Sequence, residues 1–311
     1  MSQCSVRISG LSKRYGDLIA VDRLDLEVGA GEILGFLGPN GAGKTTTLQM
    51  MCGLLKPDAG SVELEGRVLT AGQGVPSIGV SPQNLVIWNT LTCQEQLEFV
   101  GRMYDLSYRD ARQRARRLLG DFGLQDKARR LGRTLSGGMQ RRLNIALALV
   151  HGPHILFLDE PQAGLDPQSR VLVREYLQSL RGRMTVIVTT HDMEEAAKLS
   201  DRVCVLDHGR LLALDTVTGI LQGHGEGALT SIVIGCDAAD ARLANLESQI
   251  TASGWRRHGN ELRQLGPTRA SAVAEVLQII AREDLEVTGI HTRETTLEDV
   301  FLALTGRSLR E

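Results

Sequence analysis

No stretch of this 311-residue chain approaches the roughly 20 consecutive apolar residues that a membrane-spanning helix requires. The longest apolar runs, such as Ile155 to Leu158 and Val186 to Val188, are strand-sized, so any role at a membrane is expected to be peripheral. An apolar h-region is also missing near the first residues, and a cytosolic location is the expectation. Charge of one sign is scarce too. Thirty-five Lys and Arg against 37 Asp and Glu leave a formal net charge of -2, which argues against a nucleic-acid binder that works through an overall basic field. The five cysteines, Cys4, Cys52, Cys93, Cys204 and Cys236, stand at no metal-ligand spacing and read as buried, reduced thiols.

What is present is an ordinary globular composition, 42% hydrophobic and 23% charged, in a length that fits one large α/β domain and a small one. From Ile33 to Asp207, short β-rich runs (Ile33 to Leu37, Ile155 to Leu158, Thr185 to Val188, Val203 to Leu206) alternate with helical patterns. That alternation predicts a parallel sheet covered by helices. Val6 to Leu11 and Leu24 to Val28 alternate apolar and polar residues, as an antiparallel layer with one solvated face does. Thr92 to Leu119 is helical throughout, an insertion that reads as a subdomain able to move against the core. Gly219, Gly223, Gly225 and Gly227 suggest a linker over residues 219–228. Beyond it, strand-like Thr230 to Ile234, helical Asp240 to Ala252, a hairpin of Trp255 to His258 with Glu261 to Leu265, helical Arg269 to Ala281 and strand-like Glu286 to His291 give the order β-α-β-β-α-β. This is the ferredoxin-like split arrangement, closed by a helix from Leu297 to Leu304.

Gly38-Pro39-Asn40-Gly41-Ala42-Gly43-Lys44-Thr45 fits G-x-x-x-x-G-K-[ST] and follows an apolar strand directly. The glycines let successive N–H groups curl around phosphate oxygens, and the helix beginning near Gly43 turns its positive end inward. Lys44 is then expected to reach the β- and γ-phosphates, and Thr45 to hold Mg²⁺ through its hydroxyl. Ile155 to Leu158 delivers Asp159 and Glu160 at a strand end, where open parallel sheets bind ligands. Asp159 suits the Mg²⁺ carboxylate, and Glu160 suits a general base or a group that orients the attacking water. Upstream, Leu135-Ser136-Gly137-Gly138-Met139-Gln140 reads either as a plain N-capped helix or as a second anion site formed by Ser136, Gly137 and Gly138.

In this order the motifs resemble those of the ATP-binding cassette (ABC) ATPases over residues 5–218. The resemblance implies a phosphate-loop NTPase core of ABC type over residues 1–218, with a helical subdomain at about 90–150 and a ferredoxin-like accessory domain at 229–311. It implies Tyr15 stacked on adenine, Gln83 sensing Mg²⁺ and the attacking water, the Gly164-Leu165-Asp166 loop crossing between paired subunits, and His191 contacting the γ-phosphate. The implied nucleotide-binding set is Tyr15, Gly38, Pro39, Asn40, Gly41, Ala42, Gly43, Lys44, Thr45 and Thr46; the metal set is Thr45, Gln83 and Asp159. Leu135 to Gln140 would serve the partner cassette in trans.

The implied partners are a second ATP-binding subunit, a homodimer being simplest, and an integral membrane permease that holds the chain at the cytoplasmic face of the membrane. Thr295 to Phe301 resembles the closing segment of exporters that handle drugs, polysaccharides or lipid-like compounds. Two positions depart from the family pattern. Met139 stands where many members have glutamine, and Gln162 where threonine or serine usually follows Glu-Pro. Neither removes a group assigned to chemistry. One cassette and no heptad run favour transport over the DNA-repair and translation branches, and Glu160 with His191 disfavours an inactive ATP-holding module. The arginines at 109, 112, 114, 116, 117, 129, 130, 141 and 142 read as a solvated helical face.

Overall fold

A computed structural model describes residues 4–69, 77–225, 228–237, 240–251, 254–265 and 269–305. The chain forms two compact units, Met1–Leu214 and Asp215–Glu311. In order, the first contains β1 (Cys4–Tyr15), β2 (Leu18–Gly29), β3 (Ile33–Leu37), α1 (Lys44–Met51), β4 (Ala59–Leu64), β5 (Arg67–Val68), β6 (Ile78–Ser81), α2 (Cys93–Met103), α3 (Tyr108–Asp121), α4 (Gly137–Leu149), β7 (Ile155–Asp159), α5 (Pro167–Ser179), β8 (Thr185–Thr190), α6 (Met193–Leu199), β9 (Arg202–Asp207) and β10 (Arg210–Asp215).

β3, β7 and β8 are buried along their whole lengths, which is why they read as unbroken apolar runs and not as alternation. They form the middle of a six-stranded sheet of order β10-β9-β3-β8-β7-β6. β3 is parallel to β8 and β9, and β7 is parallel to β8 and β6. The C-terminal ends of β3, β8, β7 and β6 therefore lie side by side, and the residues just beyond them meet along one edge. A second sheet, β2-β1-β4-β5, carries the predicted antiparallel layer. Val6, Ile8, Leu24 and Leu26 point into the core, while Arg7 and Glu27 pair on the outer side at 2.7 Å.

The helical insertion is two helices where the sequence suggested one pattern. Asp105, at φ 62, breaks the run between α2 and α3, and Ser107 starts the new helix by accepting the Asp110 N–H at 3.1 Å. Thr92 and Glu95 form a complete capping box on α2, a local contact that stabilises a helix start by about 1 kcal/mol.

In the second unit, α7 (Val217–Gly225) precedes β11 (Leu229–Ile234), α8 (Ala241–Ile250), β12 (Arg256–His258), β13 (Glu261–Leu265), α9 (Ala270–Arg282), β14 (Val287–Arg293) and α10 (Leu297–Thr305). The sheet order is β12-β13-β11-β14, with β11 antiparallel to both neighbours, as the ferredoxin-like arrangement requires. One face packs Ile232, Ile234 and Leu262 against Leu243, Leu246 and Ile280, with Trp255 fully buried among them.

The expected linker is corrected. Over Val217–Gly225 the chain is helical despite its glycines. Thr216 Oγ1 accepts the Gly219 N–H at 3.0 Å, and Ile220 is buried. Local hydrogen bonding and burial here outweigh a helix penalty of about 1 kcal/mol per glycine. Glu226, Gly227 and the expected helix end at Ala252 lie outside the described residues. The thiols are free, but only Cys52, Cys93 and Cys204 are buried; Cys4 and Cys236 are half-exposed. Burial pushes the Cys52 thiol up to about 11.

Candidate functional site: a phosphate cleft and a separate helix terminus

The loop between β3 and α1 is closed so tightly that its glycines are obligatory. Gly43 adopts φ 97, and a Cβ there would stand 2.3 Å from the Ala20 carbonyl oxygen; one on Gly38 would meet the Leu206 carbonyl oxygen at the same distance. Backbone atoms cannot yield at that range. Lys44, buried at the head of α1, donates through Nζ to the carbonyls of Gly38 at 2.7 Å and Pro39 at 3.0 Å. Burial depresses the Lys44 ammonium, and the opposing charges of Glu160 and Asp159 only partly offset this. A cation held in this way gains from any further anion placed beside it.

The ends of β7 and β8 converge on the same place. Thr45 Oγ1 lies 3.2 Å from Asp159 Oδ1, and Thr189 Oγ1 also donates to that oxygen. The Glu160 backbone N–H donates to Thr189, at 3.0 Å to Oγ1 and 3.2 Å to the carbonyl oxygen. These bonds fix Glu160 in a left-handed conformation, φ 50, which costs a non-glycine residue about 1–2 kcal/mol. Its carboxylate then sits 4.0 Å from Lys44 Nζ and 3.0 Å from His191 Nδ1. Glu160 is 7% exposed, whereas His191 faces solvent.

The cleft of ≈ 280 Å³ formed here is lined by Tyr15, by Asn40 through Thr46, and by Gln83 and Glu160. Gly38 and Pro39 contribute through the carbonyls that hold Lys44. Tyr15 is 49% exposed, with the Lys13 ammonium over its ring at 5.8 Å from the centroid. The donor set suits Mg²⁺. A hydroxyl and a carboxylate stand together, oxygen only, and Mg²⁺ takes one or two carboxylates with substrate phosphates and water.

Ser136 caps α4, accepting the Met139 N–H at 3.3 Å, so Gly137 and Gly138 open the helix as the motif requires. Leu135 is buried beneath it, and Gln140 Nε2 donates to the Gly132 carbonyl at 3.1 Å. Lys127, Arg130, Thr134, Leu135, Ser136 and Met139 line a second cleft, which shares no residue with the phosphate cleft. The structure therefore does not bring Ser136 together with its own Lys44. Asp166 caps α5 through the Ser169 N–H at 2.9 Å, and hydrogen bonds from Ser169 hold its carboxyl below the usual range. A Cβ on Gly138 would lie 3.9 Å from Asp166 Oδ2, so the Asp166 loop abuts the Leu135 to Gln140 segment of its own chain.

Of the two departures, Met139 packs against a core cluster that the helices share with β7 and β8, and Gln162 has a buried Nε2 without a hydrogen-bond partner among the described residues.

Three further residues were not singled out as site residues in the sequence. Thr189 ties Asp159 to the Glu160 backbone, as above. Arg141 on α4 donates to the Gln83 carbonyl at 2.6 Å and lies in the field of Asp159 and Glu160, although burial is what most depresses it. Asn144, one turn on, donates to Ser81 Oγ at 2.8 Å and accepts the Val86 N–H at 3.0 Å. The solvated arginine face is therefore corrected at Arg141 and at Arg142, both half-buried, Arg142 donating to the carbonyl of Phe122 at 2.7 Å; Arg114 stays exposed while donating to the Val150 carbonyl at 3.2 Å. Carbonyl-directed arginines carry no sequence signal distinct from solvated ones.

His191→Ala should leave nucleotide affinity within a few-fold and lower turnover roughly 100-fold, by removing a donor from the reacting centre. Wild-type turnover, measured as phosphate release at saturating ATP, would remove His191 from the reaction.

A family model described as "ABC transporter" matches residues 21–163. The chain is 38% identical over 314 residues to the daunorubicin resistance ATP-binding protein DrrA3 of Streptomyces coeruleorubidus, covering 100% of this chain and 98% of that one. It is 39% identical to the Nod factor export ATP-binding protein I of Ralstonia nicotianae, covering 98% and 94%. Among solved structures, the ATP-binding subunit of an ABC transporter superposes with a TM-score of 0.64 at 27% identity, over 70% of this chain and 92% of the other. A dimeric post-hydrolysis cassette bound to ADP and Pi gives a TM-score of 0.62 at 28% identity, over 68% and 98%.

Proposed function

Because this chain belongs to the ATP-binding proteins of the ABC transporter family and hydrolyses ATP, we propose that two copies pair head to tail around the nucleotide and drive a separate membrane subunit. The observation that carries the pairing is the disjunction of the two clefts. Lys44 and Glu160 line one and Ser136 the other, so each chain offers two half-sites, and a two-fold dimer completes both at once. The Asp166 loop, beside Gly138, would cross at the same seam.

In the closed site Lys44 transfers its donors from the Gly38 and Pro39 carbonyls to the β- and γ-phosphates, and Tyr15 stacks on the adenine. Glu160, oriented by His191 and Thr189, accepts the proton of the water that attacks the γ-phosphorus, while ADP leaves with the electrons of the broken P–O bond. Thr45 and Asp159, with Gln83 at the rim, would hold Mg²⁺, which neutralises charge on the phosphate oxygens. Loss of the γ-phosphate removes the contact shared across the seam, and the pair relaxes.

No helix among the described residues is long and apolar enough to cross a membrane, so work at the membrane passes through a partner. A cleft of ≈ 440 Å³ lined by Leu54, Val86, Trp88, Tyr104 and Asn144 is the surface we assign to it. Its rim exposes Leu54, Val86 and Tyr104 by more than half, an apolar concentration unusual on a free surface. The cleft adjoins the Gln83 segment gripped by α4, so a partner seated there would sense nucleotide. The names of the relatives, for daunorubicin resistance and Nod factor export, support export as the direction.

Size-exclusion chromatography with a non-hydrolysable ATP analogue and Mg²⁺ tests the pairing. The chain should elute at twice its mass, and Ser136→Arg should stay monomeric while still binding nucleotide. If Ser136→Arg dimerises like wild type, the head-to-tail seam is wrong. The same run on residues 1–214 tests the proposal that the C-terminal unit is dispensable for nucleotide binding.

A further inference from the structure

A recess of ≈ 310 Å³ lies at the free edge of β12 in the C-terminal unit. It shares no residue with the nucleotide cleft and does not rest on the reading above. In the strand register Arg256 of β12 faces Arg263 of β13. Two guanidinium groups thus stand directly opposite each other on one face, a pairing that antiparallel ladders disfavour. Nearby carboxylates relieve only one of them. Glu261 takes Arg263 through Nε at 3.0 Å and Nη2 at 2.6 Å.

The carboxylates that line the recess are already paired, Glu247 with Arg257 of the same wall at 2.9 Å and Asp299 with Arg293 at 2.6 and 2.8 Å. The side chains of Arg256 and His258, both lining it, have no hydrogen bond or ion pair among the described residues. Leu302 and Ala303 of α10 supply an apolar wall.

We propose that this recess binds a small organic anion, with a phosphate or carboxylate group seated on the guanidinium of Arg256, next to the Glu261-paired Arg263. Planar guanidinium forks match such groups in two-point contact. His258 adds a donor, and a short apolar portion lies against Leu302 and Ala303. The recess volume falls at the small end of ligand sites, about 300–1,000 Å³. Arg256, which faces a second guanidinium and has no carboxylate of its own when the recess is empty, gains a counter-charge once the anion is present.

The two tryptophans make the test direct, because Trp88 belongs to the first unit and Trp255 is buried beside Arg256 in the second. In full-length protein carrying Trp88→Phe, emission reports on Trp255 alone. Titration with hexyl phosphate should give a saturable change, with hexanoate and inorganic phosphate acting at higher concentration. Arg256→Gln should raise the half-saturating concentration at least about tenfold, the effect of losing a charge-assisted contact.

The same substitution should also raise the urea midpoint of the ligand-free C-terminal unit, because it removes the like-charge opposition. A purely structural arginine would lower that midpoint instead. Absence of a saturable response, or an equal response in Arg256→Gln, overturns the proposal. So does a response to vesicles of anionic phospholipid with none to the soluble anions, since the site would then read a surface.

Discussion

Glu160→Gln is expected to lower ATP turnover by about 10²- to 10⁴-fold, the usual span for loss of a positioned general base, while nucleotide affinity holds or rises. The carboxamide has the shape of the carboxylate, so the backbone bonds to Thr189 and the packing at φ 50 persist. What disappears is the proton acceptor. A negative charge 4.0 Å from Lys44 Nζ disappears with it, leaving the ammonium freer to serve the phosphates. ATP-bound protein should therefore accumulate, read as a dimer by size-exclusion chromatography with ATP and Mg²⁺ and as the collapse of steady-state phosphate release. Turnover within tenfold of wild type would mean that another group takes the proton, and a variant that binds ATP yet remains monomeric at high concentration would undo the pairing.

Lys44→Ala should act at the other end of the cycle, on binding. Each charge-assisted hydrogen bond to a phosphate contributes about 1.5–3 kcal/mol, and the single ammonium is placed to make more than one. Affinity should fall at least 100-fold, or about 2.7 kcal/mol. The nucleotide-free fold should lose little. Burial already disfavours the charged form of this lysine, so its removal also removes a cost. Calorimetric titration with ATP and a thermal melt without nucleotide separate the two effects. A melt that collapses before any nucleotide is added would make Lys44 a structural residue and sink the assignment.

Much of the candidate site was legible because several of its groups follow a fully buried strand, and such strands are written as unbroken apolar runs. Gly38, Glu160 and His191 stand just past the ends of β3, β7 and β8, so finding the strands placed these candidate residues along one edge of the sheet. The strands that escaped notice, β4, β5, β6 and β10, lie at or next to a sheet margin, where chains are short or mixed in character. β5 has only two residues. Thr189 was missed since threonine in a strand is an ordinary β-former until its hydroxyl is seen to bridge Asp159 and Glu160. The Gly-rich stretch misled for the opposite reason: its local propensity is poor, and the burial of Ile220 that overrides it is a tertiary fact.

Asn144, 3% exposed, must give and receive at once, donating to Ser81 Oγ and accepting from the Val86 N–H. Aspartate would keep the acceptor, lose the donor and bury a charge. Leucine would lose both, and glutamine is a methylene too long for a closed site. The segment from Ser81 to Val86 and the helix that grips it can therefore diverge only in concert. A Gln83 segment transplanted from a distant relative should fit only if that relative's residue at position 144 came with it.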